Sequence, residues 1–169
     1  MLRKNHLNGV SGEKNNELFG KRLMTMLSKS DSLMKAGDLG QSLVMLDGVL
    51  TLSPGMERAL ITKGLILSNQ GKFQEAAGVF ARAIDVNGNN VQSRLSRAFA
   101  LTQIRQFEKS IEDYSYVVDS IGTDNGEVFY FRAIAYLNNK AKEKACIDLD
   151  MAISLGYKAA KQLKKQQCN

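Results

Sequence analysis

Apolar residues recur at helical spacing in paired blocks along most of this chain, each pair split by a short polar turn. Ala76-Ala77, Phe80 and Ala83-Ile84 form one block, placed after Gly71-Lys72-Phe73. One period of 34 residues later, Ser110-Ile111, Tyr114 and Val117-Val118 repeat the spacing after Arg105-Gln106-Phe107. One period earlier stand Ser42-Leu43, Leu46 and Val49-Leu50, after Gly37-Asp38-Leu39. A further 35 residues on from the third copy stand Ala145-Cys146, Leu149 and Ala152-Ile153. A fixed period of this length predicts stacked helix–turn–helix units.

The register predicts units at 23–56, 57–90, 91–124 and 126–159, with one extra residue near Asn125. That residue is expected in a loop between units, where an insertion costs little. In the second unit the pattern predicts a helix from Glu57 to Asn69, a turn at Gln70-Gly71-Lys72 and a helix from Phe73 to Val86. Gly88 and Gly122 fall where a helix end favours a left-handed residue, and Pro54 takes that slot in the first unit. Residues 1–22 read as a tail or a helix extension; residues 157–169 read as a closing amphipathic helix with Tyr157, Ala160 and Leu163 inward.

Small residues recur where helices must approach closely. Position 8 of the units is Ser30, Gly64, Ala98 and Ala133, and position 20 is Ser42, Ala76, Ser110 and Ala145. Position 24 is large: Leu46, Phe80, Tyr114 and Leu149. Alternating large and small residues lets antiparallel helices interdigitate without voids. Charges also keep register. Position 7 is Lys63, Arg97 and Arg132, and position 23 is Asp113 and Asp148. The two positions lie at one height in a helical hairpin. Arg97 is expected to pair with Asp113 and Arg132 with Asp148, unless Asp113 reaches forward to Arg132. Such pairs are read as setting register rather than as chemistry.

The small residues at 8, 20 and 27 (the last Val49, Ala83, Val117 and Ala152), the aromatics at 17 (Phe73, Phe107) and 24 (Phe80, Tyr114) and the breaker at 32 resemble the tetratricopeptide repeat (TPR) family. The resemblance implies an all-α fold, an α–α superhelix of antiparallel helix pairs. It implies a non-catalytic protein–protein interaction module that takes a protein or peptide, not a small-molecule substrate, in a concave groove lined by the first helix of each unit. Carried over residue by residue, the groove floor is Leu27, Asp31, Ile61, Leu65, Leu95, Phe99, Tyr130 and Ile134. All but Asp31 are apolar, and an exposed apolar strip marks an interaction site. Some members grip C-terminal carboxylates with Lys, Arg and Asn. The matching positions here are Leu27, Asp31, Thr62, Gln92 and Ser96, which cannot form that clamp. The alternative role is a self-assembling scaffold, its groove filled by its own N-terminus or a second copy. Leu2, Leu7, Val10, Leu18 and Phe19 supply apolar side chains for that.

The two cysteines leave two readings open. Cys146 stands ten residues before Gly156 and Cys168 twelve after it, so a bridge across a terminal hairpin is geometrically feasible. The pair resembles one in bacterial TPR proteins ending in a similar Leu-Gly-Tyr…Cys segment, here Leu155-Gly156-Tyr157 to Cys168. Against it, the N-terminus lacks an apolar stretch of signal-peptide length, which suggests a cytoplasmic protein with reduced thiols, or a periplasmic one had a leader been removed.

Charge and composition narrow the chemistry. The net charge of +6 sits at the ends: residues 1–22 carry +3, residues 157–169 carry +4, and the span between carries −1. A nucleic-acid reader shows a basic stripe on its folded face, so nucleic acid is disfavoured. No apolar run reaches the roughly 20 residues of a membrane helix. The one histidine, His6, lies in the tail and supports neither a metal cluster nor a triad. Ser32-Leu33-Met34-Lys35 matches a nucleophile motif without its partner motifs. No cofactor, metal or enzymatic activity is expected.

Overall fold

A computed structural model describes residues 6–168, with side chains from residue 15 onward. Among the described residues the chain is helical and without strands. The helices are α1 (His6–Lys35), α2 (Leu39–Leu52), α3 (Glu57–Asn69), α4 (Phe73–Val86), α5 (Val91–Gln103), α6 (Phe107–Ser115), α7 (Gly126–Asn138), α8 (Lys142–Ser154) and α9 (Ala159–Gln167). The chain divides into two compact units, Met1–Lys63 and Gly64–Asn169, with the boundary inside α3.

In the first unit, α1 and α2 form a hairpin around Gly37, which takes the left-handed conformation at φ 80°. Asp38 caps α2 by accepting from the Gln41 N–H at 3.0 Å. Leu23, Leu27 and Ser30, at i, i+4 and i+7, form a buried stripe. Ser30 faces α2, where its hydroxyl meets that of Ser42 at 2.8 Å. Leu27, expected on an exposed floor, is therefore sealed with that stripe, at 3% exposure. Gly48 lets α2 close in, since a Cβ there would stand 2.5 Å from Met26 Cε. Residues 6–22 continue α1 as helix instead of turning back. Leu2 lies outside the described residues, as do the side chains of His6, Leu7 and Val10.

In the second unit the positions picked out by the period are sealed. Ala76, Phe80, Ala83, Ala98, Val117, Ala133, Ala145, Leu149 and Ala152 have no exposed surface. A Cβ at Gly64 would stand 2.5 Å from the Phe80 ring, so the large residue at position 24 fits only over the small one at position 8. The turns inside the hairpins share one device. Gly71, Arg105 and Lys140 all take positive φ, of 74°, 62° and 61°. Arginine and lysine adopt that conformation less readily than glycine, so the two turns lacking glycine keep the geometry at some conformational cost.

Two expectations need correction. Gly88 is not left-handed; α4 ends at Asn87 in an extended conformation, its N–H donating to Ala83 O. The extra residue does not lengthen the loop near Asn125. Residues 122–125 are four, the same as 53–56 and 87–90. Instead the chain passes from α6 into a π-helical turn, Tyr116–Ile121, ended by Gly122 at φ 84°. A π turn accommodates one added residue without breaking the helix.

Candidate functional site: an apolar cleft on α3, α5 and α7

The cleft lies within the second unit. The last turns of α3 supply Leu65, Ser68 and Asn69; α5 supplies Leu95, Ser96 and Phe99. From α7 and its cap come Glu127, Val128, Phe131 and Asn125, with Tyr114 of α6 behind them. The volume is about 310 Å³, at the lower end of ligand-site sizes. Local sequence explains the placement. Asn90 caps α5 by accepting from the Ser93 N–H at 2.8 Å, and Asn125 caps α7 by accepting from the Glu127 N–H at 2.9 Å. Val128 is buried against Ala98, Tyr114 and Val117 while Phe131 packs at the edge of that cluster.

Phe99 remains 37% exposed as the second ring of an aromatic chain of five. Its ring meets Phe73 edge-on at 6.0 Å and Phe131 at 6.3 Å; Phe131 meets Tyr130 at 5.5 Å, and Tyr130 meets Tyr157 at 5.0 Å. Edge-to-face contacts orient the rings from Phe73 to Tyr130, and the Tyr130 and Tyr157 rings are tilted at 43°. Burial pushes the Tyr114 hydroxyl well above its ordinary range, aided by the charges of Asp113 and Glu127. Burial raises Tyr157 too, with the Glu127 and Tyr130 fields adding to it.

Of the expected floor, Leu65, Leu95 and Phe99 come together in the cleft. Tyr130 stands beside it in the aromatic chain, and Ile134, on the same helix, does not line it. In the first unit Leu27 is buried, Ile61 is half-buried, and Asp31 pairs with Arg58 at the surface. Phe131 and Val128 were not among the expected floor residues. The run Phe129-Tyr130-Phe131 was the available signal. A helix turns 100° per residue, so three adjacent aromatics must face three directions, and one of them faces the cleft.

The charge pairs join the two helices of a hairpin, α5 to α6 and α7 to α8. Arg97 donates from Nε and Nη2 to Asp113 at 2.6 and 2.7 Å, and Arg94 adds a contact at 3.3 Å. Arg132 donates to Asp148 at 2.7 and 2.8 Å, with Asp119 at 3.4 Å. Asp113 is thus held by its own hairpin and does not reach forward to Arg132. The hydrogen bonds that Arg97 donates to Asp113 raise the guanidinium above its ordinary value, against the opposing effect of burial. For Arg132 burial opposes the charge, but the hydrogen bonds and field of Asp148 more than offset it. Cys146 and Cys168 are joined by a disulfide between α8 and the residue closing α9. Ala160 is buried there, with Tyr157 and Leu163 packed around it.

Among the described residues no cluster of His, Cys, Asp or Glu has the arrangement of a metal site, and no helix is long and apolar enough to cross a membrane.

These features define a class: helical hairpins of the TPR type, with a cleft on the first helices. No protein-family model and no curated protein matches the sequence. Solved structures do match the fold. MamA from residue 41 onward, from Desulfovibrio magneticus RS-1, superposes with a TM-score of 0.75 at 19% identity, over 80% of this chain and 76% of that one. A further MamA crystal structure superposes with a TM-score of 0.75 at 19% identity, over 88% and 86%. A tetratricopeptide repeat protein from Parabacteroides merdae gives 0.71 at 23% identity, over 80% of this chain and 54% of that one. At these identities the likeness extends to the fold and no further.

Proposed function

We propose that this chain is a non-catalytic protein-interaction module, built of four repeats and a closing helix, that holds a peptide or partner segment in the cleft of its second unit. The observation that carries the reading is Phe99, a large ring left partly in water between Leu65, Leu95 and Phe131. A concave apolar surface with a polar rim suits an amphipathic helix or an extended apolar peptide. The Cys146–Cys168 bridge favours work in an oxidising compartment over the cytoplasm. The test is affinity capture with wild type and with Leu65→Glu/Phe99→Glu, followed by titration of each captured protein against both. A partner lost only in the double variant supports the cleft; identical capture by both sinks it.

Self-assembly is the second reading. Leu18 and Phe19 on the extension of α1 are 68% and 44% exposed, which favours burial against another surface. Sedimentation at two concentrations decides it, since assembly predicts a mass that rises with concentration.

A further inference from the structure

The charge of the cleft narrows the chemistry of its occupant, granted the reading above. In a chain of net charge +6, no Lys, Arg or His lines the cleft. Its one charged lining residue is Glu127. That carboxylate is exposed and forms no ion pair among the described residues. Its main chain is anchored at the start of α7, where the Glu127 N–H donates to the Asn125 cap. Its field reaches the rings on two sides, contributing to the raised hydroxyls of Tyr114 and Tyr157.

We propose that the cleft selects a segment of another protein in which a large apolar side chain, seated against Phe99 and Leu65, is accompanied by a lysine or arginine that pairs with Glu127. An acidic segment is rejected, because Glu127 repels it and no cation in the lining compensates. The pair lies at the rim, so its contribution is a discrimination of about three- to fivefold, weakened by salt.

The experiment is selection from a random dodecamer peptide library on three full-length proteins: wild type, Glu127→Lys and Phe99→Glu. Circular dichroism first establishes that each variant keeps its helical content. Wild type is expected to enrich peptides pairing an apolar residue with Lys or Arg at a fixed offset. Glu127→Lys is expected to enrich Asp or Glu at that offset. Fluorescence anisotropy of one selected peptide and its Lys→Gln version then measures the discrimination, expected to vanish in Glu127→Gln. Enrichment that depends on Phe99 but ignores charge overturns this proposal and leaves the interaction cleft standing. Enrichment indifferent to Phe99, or none, overturns both.

Discussion

In the first unit Lys63 reaches Asp47 at 2.5 Å, with the Asp47 side chain 58% exposed. In the second unit Arg97 and Arg132, at the corresponding place in the period, grip Asp113 and Asp148, whose side chains are 2% and 5% exposed. One unit leaves its carboxylate to water; the other takes it out of water and must supply every partner. An exposed pair gains little because the solvent competes. A sealed carboxylate that loses its partner has nothing to replace it. Matched hydroxyls join hairpins in both units, Ser30 with Ser42 in the first and Thr102 with Ser110 in the second, and the second adds the forked guanidinium pairs.

Arg132→Ala should do most to break the contrast. It strands Asp148 in the interior and should cost about 3–5 kcal/mol, read as a lowered urea midpoint. An unchanged midpoint would mean that Asp148 is solvated like Asp47. Next comes the bridge, which has no counterpart in the first unit. Cys146→Ser/Cys168→Ser should cost about 3 kcal/mol by the loop-closure argument for a bridge of this span. Thiol counting of the wild type under denaturing, non-reducing conditions should find no free thiol.

Alkaline pH is a milder probe. All five tyrosines lie in the second unit. Burial raises the Tyr114 hydroxyl in the folded chain, so its contribution to stability is complete below the ordinary tyrosine value near 10. As pH rises above that value the unfolded chain releases the proton first, and stability falls. Tyr114→Phe should flatten this alkaline decline in melting temperature; an identical decline would show that the hydroxyl is not desolvated. The smallest effect belongs to Lys63→Ala, which should shift stability by no more than about 1 kcal/mol. A loss as large as that of Arg132→Ala would erase the distinction between the units.

The sequence carried the helices well, because apolar spacing and small residues at 8, 20 and 27 report directly on which faces must touch. It carried the pairing of Arg97 and Arg132 for the same reason: position 7 faces position 23 in any hairpin that turns at 15. It did not place the extra residue. A period of 35 says that one residue was added, yet a loop and a π turn absorb it equally in the count. Leu27 shows another limit. Position 5 opens onto the cleft in α5, where Leu95 lines it, but in α1 the same position joins the sealed stripe of Leu23 and Ser30. Register along a helix is legible from the chain, whereas the rotation of one helix against its neighbours depends on side chains distant in sequence. Phe131 was hidden by the same freedom.

The link between Cys146 and Cys168 has a kinetic consequence. In a row of helical hairpins each is steadied by its neighbours, so the terminal hairpins have the fewest contacts and open first. A nine-residue helix such as α9 would barely persist alone. The covalent tie across 22 residues keeps α9 beside α8 through such openings. Fraying at this end is thereby restrained: α9 cannot leave α8 while the tie is intact, so any opening there must carry the two helices together.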